Sequence, residues 1–303
     1  MSLSLDGTNG LTFDTGGSPI NNLSSVNGGQ LAGMRNRIIN GRFDHWQRGT
    51  SLSSGLTTYT YLADRFCVYA AGAAVTVSKT PSLNPVTGYG VANLNGIGFA
   101  GAVGNTFVDL TQRIEAAEVN AGLRGTVTFS AWVYQNTGSS MTPLMLFGCP
   151  SATDNYTGST QYGSVSISAV SSGVWTKISA TVDTSGYAEI SKGLYATIRF
   201  PNLTTGNVYC TLVQLEVGSV ATPFEQRPIG LEQSLCRRYT RKQVVPVNNA
   251  TDVFTFMPID MRVTPTSITG GGAGFTTTGT TADSLICYQT TRGNQTLLLE
   301  AEL

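Results

Sequence analysis

The sequence predicts an all-β protein, and three features carry that expectation. Short apolar runs alternate with Gly, Asn, Asp, Ser and Thr along most of the chain. The chain contains 35 Gly, and only 12% of its 303 residues are charged. This combination favours many short antiparallel strands joined by turns over long helices. The 18 basic and 18 acidic residues cancel, so no long-range field favours nucleic acid as a partner, and no basic stripe stands out. No apolar run approaches the roughly 18 residues of a membrane span, and no charged-then-apolar leader opens the chain, so membrane insertion is not expected.

The elements follow in order. In SLSLDGTNGLTF, Leu3 and Leu5 face Leu11 and Phe13 across a DGTNG turn, a hairpin too short to be stable alone. A Gly-, Ser- and Asn-rich connector then leads to residue 35. From residue 36 to about 218, strands are expected at 36–40, 61–69, 74–80, 106–115, 126–136, 144–147, 164–170, 174–182 and 194–200, and this spacing predicts an antiparallel β-sandwich. The run NVYCTLVQLEV alternates as the last strand of that body. Gly218, Ser219, Pro223 and Pro228 then make a stiff exit path. Leu231, Leu235 and Tyr239 recur at helical spacing among Glu232, Arg237, Arg238, Arg241 and Lys242, predicting one short helix. Residues 244–303 return to β-type sequence. Three parts result: 1–35, 36–230 and 231–303.

Cys67, Cys149, Cys210, Cys236 and Cys287 are scattered, odd in number and without a C-x-x-C pair. They are expected to be buried free thiols of a protein folded in a reducing cytosol. His45, the single histidine, lies between Asp44 and Trp46 and has no obvious partners for a metal or triad role. Gly270 to Phe275 lacks the Lys-Ser or Lys-Thr that a phosphate loop requires and reads as a turn.

The segments NRIINGRFDHWQRGTS, YLADRF, QLEVGSVATPFEQRPIG and LEQSLCRRYTRK together resemble a module of tailed-bacteriophage tail-fibre and related virion proteins, over roughly residues 36 to 242. The resemblance implies a jelly roll like those of carbohydrate-binding modules, a homotrimeric fibre and contact with host surface polysaccharide. It further implies attachment to other virion proteins through residues 1–35 and a place in the phage tail after assembly in the host cytoplasm. No catalytic residues come with it. The alternatives from other classes are a purely structural virion part (a connector, baseplate component or head decoration) and an enzyme acting on surface polysaccharide. The enzyme would need two juxtaposed carboxylates, whereas the acids here are scattered. Asp44 and Glu216 occupy positions resembling those where such jelly rolls hold a structural calcium, and no other cofactor is expected.

The candidate ligand site comes from strand parity. In GTVTFSAWVYQN, Val127, Phe129, Ala131 and Val133 point one way, which turns Trp132 and Tyr134 to the other face. VWTKISATVD turns Trp175 and Lys177 away from Ile178, Ala180 and Val182. GLYATIRF turns Tyr195 and Arg199 away from Leu194, Ala196, Ile198 and Phe200. Sugars stack their C–H faces on aromatic rings while polar groups orient them, so Trp132, Tyr134, Trp175, Tyr195 and Arg199 form the expected glycan face. Tyr89, Tyr156, Tyr162 and Tyr187 are rival loop positions. Oligomerisation is expected through Leu231, Leu235 and Tyr239, with Glu225 and Glu232 pairing to arginines of neighbouring subunits.

Overall fold

The computed structural model describes residues 34–84, 94–244, 261–270 and 296–303 in full, together with the backbone of strands elsewhere. The predicted N-terminal hairpin is present as β1 (Leu3–Asp6) and β2 (Gly10–Phe13), with Leu3 opposite Phe13 and Leu5 opposite Leu11. A second hairpin joins β3 (Ser25–Val26) and β4 (Gly29–Gln30). Of residues 1–35, the remainder up to residue 33 lies outside the described residues, as does Tyr89.

The body is a sandwich of two six-stranded antiparallel sheets. Its strands are β5 (Ser51–Leu52), β6 (Thr60–Tyr61), β7 (Phe66–Gly72), β8 (Thr76–Leu83), β9 (Leu94–Ala100), β10 (Asn105–Ile114), β11 (Thr126–Gln135), β12 (Leu144–Ala152), β13 (Asn155–Ser166), β14 (Thr176–Asp183), β15 (Leu194–Pro201) and β16 (Asn207–Val217). One sheet, the front, runs β14-β11-β16-β9-β8-β5, and the other, the back, runs β13-β12-β15-β10-β7-β6. A one-turn helix, α1 (Ala116–Asn120), connects β10 to β11.

The inward parity read from sequence is the parity observed. Val127, Phe129, Ala131 and Val133 of the front sheet face Leu194, Ala196, Ile198 and Phe200 of the back sheet in one continuous core. Aromatic rings bridge the layers, with Phe99 and Phe200 at 5.7 Å and Phe129 edge-on to Phe147 at 5.9 Å. Each such buried ring stabilises the sandwich by about 1.5–3 kcal/mol.

Of the register shifts in the two sheets, the one in β16 shapes the site. β16 pairs Ser130 with Gln214 but Trp132 with Thr211, so the register slips by one, and Leu212 takes up the extra residue at φ 54°. This β-bulge puts Val208, Cys210, Val213 and Leu215 all in the core, although they fall on two parities in the sequence. It also parts β16 from β9, whose pairing stops at Cys210. Residues 36–41 enter beyond that point, the Arg37 N–H donating to Leu215 O at 2.7 Å and the Val213 N–H to Gly41 O at 2.9 Å. A Cβ at position 41 would stand 2.1 Å from Val213 O, so only glycine fits there.

After β16 the chain crosses the outer side of the front sheet as a strap. Thr128 Oγ1 donates to Gly218 O at 2.7 Å, and Lys177 Nζ donates to Ala221 O and Thr222 O at 3.0 and 2.9 Å. The strap leads into α2 (Ile229–Arg237). The remainder forms β17 (Thr240–Val247), β18 (Val253–Phe256), β19 (Ser267–Gly270), β20 (Phe275–Thr280), β21 (Leu285–Gln289) and β22 (Gly293–Glu300). These make two small three-stranded sheets, β17-β22-β19 and β18-β21-β20.

Candidate glycan-binding face

The strap divides the outer side of the front sheet into two halves. Beneath it Thr128, Ser130, Gln214 and Glu216 are buried. Beyond it, three aromatic side chains occupy one transverse row. Tyr134 of β11 lies between Trp175, just ahead of β14, at 5.5 Å and Tyr209 of β16 at 5.9 Å, with rings inclined by 45° and 42°. Tyr209 is registered opposite Gly98, where a Cβ would come within 3.2 Å of the Tyr209 ring, so the missing side chain lets the ring lie down on the sheet. The next row sets Trp132 between Lys177 and Thr211. Trp132, Tyr134, Trp175 and Tyr209 are all half-buried, and the buried Nε1 of Trp132 has no hydrogen-bond partner within the chain. Desolvation lowers the pKa of Lys177, although the nearby Glu216 opposes the shift.

The five expected ligand residues do not share one surface. Trp132, Tyr134 and Trp175 stand on the front sheet, joined by Tyr209. Tyr195 and Arg199 belong to β15 and therefore to the opposite sheet. The reason is topological, since parity tells which side of its own sheet a residue takes but not which sheet the strand joins. Arg199 is moreover engaged within the chain. Its Nε and Nη2 donate to the two oxygens of the fully buried Asp109 at 2.7 Å each, and its guanidinium lies 3.7 Å from the centroid of the Phe107 ring. The Asp109 hydrogen bonds raise the Arg199 pKa. Tyr195 lines a small cavity of about 60 Å³ with Tyr59, Thr111, Arg113, Tyr156 and Ser159, and burial pushes its phenol up to about 12. Among the rival aromatics, Tyr156 is buried and donates to Ile114 O and Leu194 O at 2.8 and 3.0 Å, while Tyr162 and Tyr187 stack on each other at 4.9 Å.

Asp44 and Glu216 do not converge either. Glu216 is fully buried and accepts from Gln214 Nε2 at 2.8 Å and from Thr222 N and Oγ1 at 2.9 and 2.6 Å. Asp44 is held by Asn95 Nδ2 at 2.7 Å and faces Arg42 at 3.3 Å. Donors already satisfy both carboxylates, and among the described residues no three His, Cys, Asp or Glu side chains gather around a common point.

The expected oligomer stripe also separates. α2 ends at Arg237, and Tyr239 turns inward, nearly fully buried beside Tyr156 and Leu303. Leu235 is half-buried over a cavity of about 50 Å³ shared with Met34, Ile39 and Tyr239. Leu231 is exposed. Glu225 and Glu232 act within the chain. Glu225 accepts from the Asn36 N–H at 2.8 Å, and Glu232 accepts from Arg227 at 2.9 Å and from the Asn40 N–H.

The motifs singled out in sequence thus build scaffold. Arg48, Asp64 and Arg65 of the HWQRG and YLADRF segments meet Thr240, Glu300 and Glu302 in one buried polar network. Arg48 bonds Glu300 at 2.6 Å, and Arg65 pairs with Glu302. His45 contributes its main chain, with N–H to Asn40 Oδ1 at 3.0 Å and carbonyl from Asn40 Nδ2 at 2.9 Å. Cys67, Cys149, Cys210 and Cys236 are buried free thiols, and the side chain of Cys287 lies outside the described residues. Among the described residues no helix is long and apolar enough to cross a membrane.

No protein-family model and no curated protein sequence matches the chain. Among solved structures it is similar to the enzymatically active domain of tailspike protein 4 of bacteriophage CBA120, with a TM-score of 0.39 and 13% identity over 60% of this chain and 21% of the tailspike chain. It is also similar to a family 61 carbohydrate-binding module in complex with β-1,4-galactotriose, with a TM-score of 0.34 and 12% identity over 60% of this chain and 97% of that one. A third is the C-terminal family 22 carbohydrate-binding module of Clostridium thermocellum Xyn10B, with a TM-score of 0.35 and 14% identity over 56% of this chain and 99% of the module. The chain is thus similar, at low sequence identity, to carbohydrate-binding β-sandwiches and to a phage tailspike domain.

Proposed function

We propose that this protein is a non-enzymatic adhesin of a phage tail fibre, which binds host surface glycans on the outer side of its front sheet and works as a homotrimer attached to the virion through residues 1–35. The observation that carries the reading is the row Trp175, Tyr134 and Tyr209, with Trp132 beside it. Four half-buried aromatic side chains gather on the half of the sheet that the strap leaves uncovered. Apolar surface presented this way suits the C–H faces of a sugar chain. The non-enzymatic part is supported by the close arginine partners of Asp109 and Glu302. Asp109 is matched by Arg199, and Glu302 by Arg48 and Arg65, which leaves no free pair for acid and base chemistry there. The tail-fibre part is supported by the resemblance of the motifs between residues 36 and 242. Three modules side by side turn weak sugar contacts into avidity.

The test is a glycan array of host-surface polysaccharides probed with the full chain and with Tyr134→Ala and Trp175→Ala. Binding that both substitutions reduce supports the reading. A purely structural role predicts no array binding by the wild type, and release of reducing ends from a bound polysaccharide would reveal an enzyme.

A further inference from the structure

We infer a second saccharide site, distinct from the aromatic row, in the cleft where β16 parts from β9. It holds a single neutral sugar unit in a polar pocket. The cleft has a volume of about 420 Å³ and is walled by Asn40, Arg42 and Asp44, by Asn95 and, along the end of the strap and the start of α2, by side chains between Phe224 and Glu232. That volume lies in the range of small-ligand pockets, roughly 300–1,000 Å³. Its existence follows from the backbone. The Leu212 bulge separates the two strands, Gly41 brings residues 40–44 against the Val213 carbonyl, and the end of the strap closes the far side.

The chemistry of the walls selects the ligand. Arg42 and Arg227 are balanced by Asp44 and Glu232, so the cleft carries no net charge to favour an anion or a cation. Asn95 and Gln226 add amide groups that donate and accept, while the buried Asn40, whose amide bonds His45 and Asp64, shapes the wall. A sugar with adjacent hydroxyls, each both donor and acceptor, matches such alternating partners. Phe224 and Ile229 supply apolar surface for its C–H faces, and Ile229 stands 62% exposed at the rim.

The polar groups are also preorganised. Asp44 is fixed by Asn95 at 2.7 Å and faces Arg42 at 3.3 Å, while Arg227 holds Glu232 at 2.9 and 3.1 Å and donates to Ile38 O at 3.0 Å. Groups already held in place lose little freedom when a ligand binds. Nε of Arg227, whose side chain is only 5% exposed, has no hydrogen-bond partner within the chain.

The test uses the full chain with its isoleucine methyl groups labelled. It is titrated with the methyl glycosides of glucose, galactose, mannose and N-acetylglucosamine, and with glucuronate and N-acetylneuraminate as charged controls. The Ile229 methyl resonance is expected to shift saturably with at least one neutral glycoside and with neither acid. Gln226→Ala, at an exposed position, and Asp44→Asn, which keeps the side-chain size, are each expected to weaken that binding at least tenfold with the thermal midpoint unchanged. The inference is overturned if no neutral glycoside moves the Ile229 methyl, if an acid binds more tightly than the neutral sugars, or if Gln226→Ala and Asp44→Asn leave the affinity as it was. Ile229 reports on the cleft and the Tyr134→Ala array experiment reports on the aromatic row, so failure of one leaves the other to stand or fall separately.

Discussion

The guanidinium of Arg65 lies 3.4 Å from the centroid of the Tyr239 ring, which joins the YLADRF segment of the sandwich to the start of β17. Arg65 is 1% exposed and pairs with Glu302, so cation, ring and carboxylate close the seam between the sandwich and the C-terminal strands. Removing one member of a buried pair leaves the other charged and unsolvated, at about 3–5 kcal/mol. Arg65→Leu leaves Glu302 with Arg48 and Thr240 and is therefore expected to lower the unfolding free energy by the lower end of that range, about 3 kcal/mol, in urea titrations. Arg238→Ala, which removes a partly exposed partner of Glu115, should cost less than about 1 kcal/mol. Equal small effects from both would show that the Arg65 network does not hold the seam.

The aromatic row yields a sharper expectation than its separate members. Tyr134 touches both Trp175 and Tyr209, so Tyr134→Ala should lower glycan affinity more than Trp175→Ala does. Arg199→Ala should leave glycan binding unchanged while lowering stability, because it strands the buried Asp109. Loss of array binding in Arg199→Ala with an unchanged melting temperature would move the site to the back sheet.

The parity of the strands could be read from sequence because apolar and polar residues alternate with period two wherever one face is buried. Val127 to Val133 and Leu194 to Phe200 obey that rule without exception. β9 carries no alternating pattern because LNGIGFA places glycines where a strand would carry side chains, and those glycines make room for Leu83 and the Cys210 carbonyl at Gly96 and for the Tyr209 ring at Gly98. The bulge at Leu212 gave no signal either, since all the residues around it are apolar or small. The assignment of Tyr195 and Arg199 to the wrong sheet has a different cause. Strand order is fixed by contacts between distant segments, and no local pattern encodes it. Tyr239 misled in the same way, because helical spacing continues past Arg237 while the chain itself does not.

Burial of the thiols makes stability depend on alkaline pH. Desolvation pushes Cys67 up from 9.0 to about 11 and Cys149 up to about 12. A thiol with a higher pKa in the folded state adds stability that is complete below its unfolded value and disappears as the pH rises through its folded value. The melting temperature should therefore hold to about pH 9 and fall between pH 9 and 12. At pH 8 a thiol reagent should label none of Cys67, Cys149, Cys210 and Cys236 until denaturant is added. Rapid labelling of any of these four in the native protein would contradict their burial.

The proposed trimer now rests on a smaller and different patch than the sequence implied. Tyr239 and Cys236 anchor the inner side of α2 to its own chain, and Glu232 closes on Arg227 just before the helix. What remains outward and outside the lining of the cleft is Leu231, 40% exposed. A nine-residue helix has no stability of its own, but here its inner side is already docked, so its outer residues are free to meet other copies without being needed for folding. Leu231→Asp is accordingly expected to convert a trimer into a monomer with a nearly unchanged melting temperature. Leu235→Asp, by contrast, buries a charge against Met34 and Ile39 and should lower that temperature whatever the oligomeric state. Light scattering at micromolar concentration distinguishes the cases. A wild-type mass of one chain refutes the trimer, and a Leu231→Asp protein that stays trimeric places the interface away from α2.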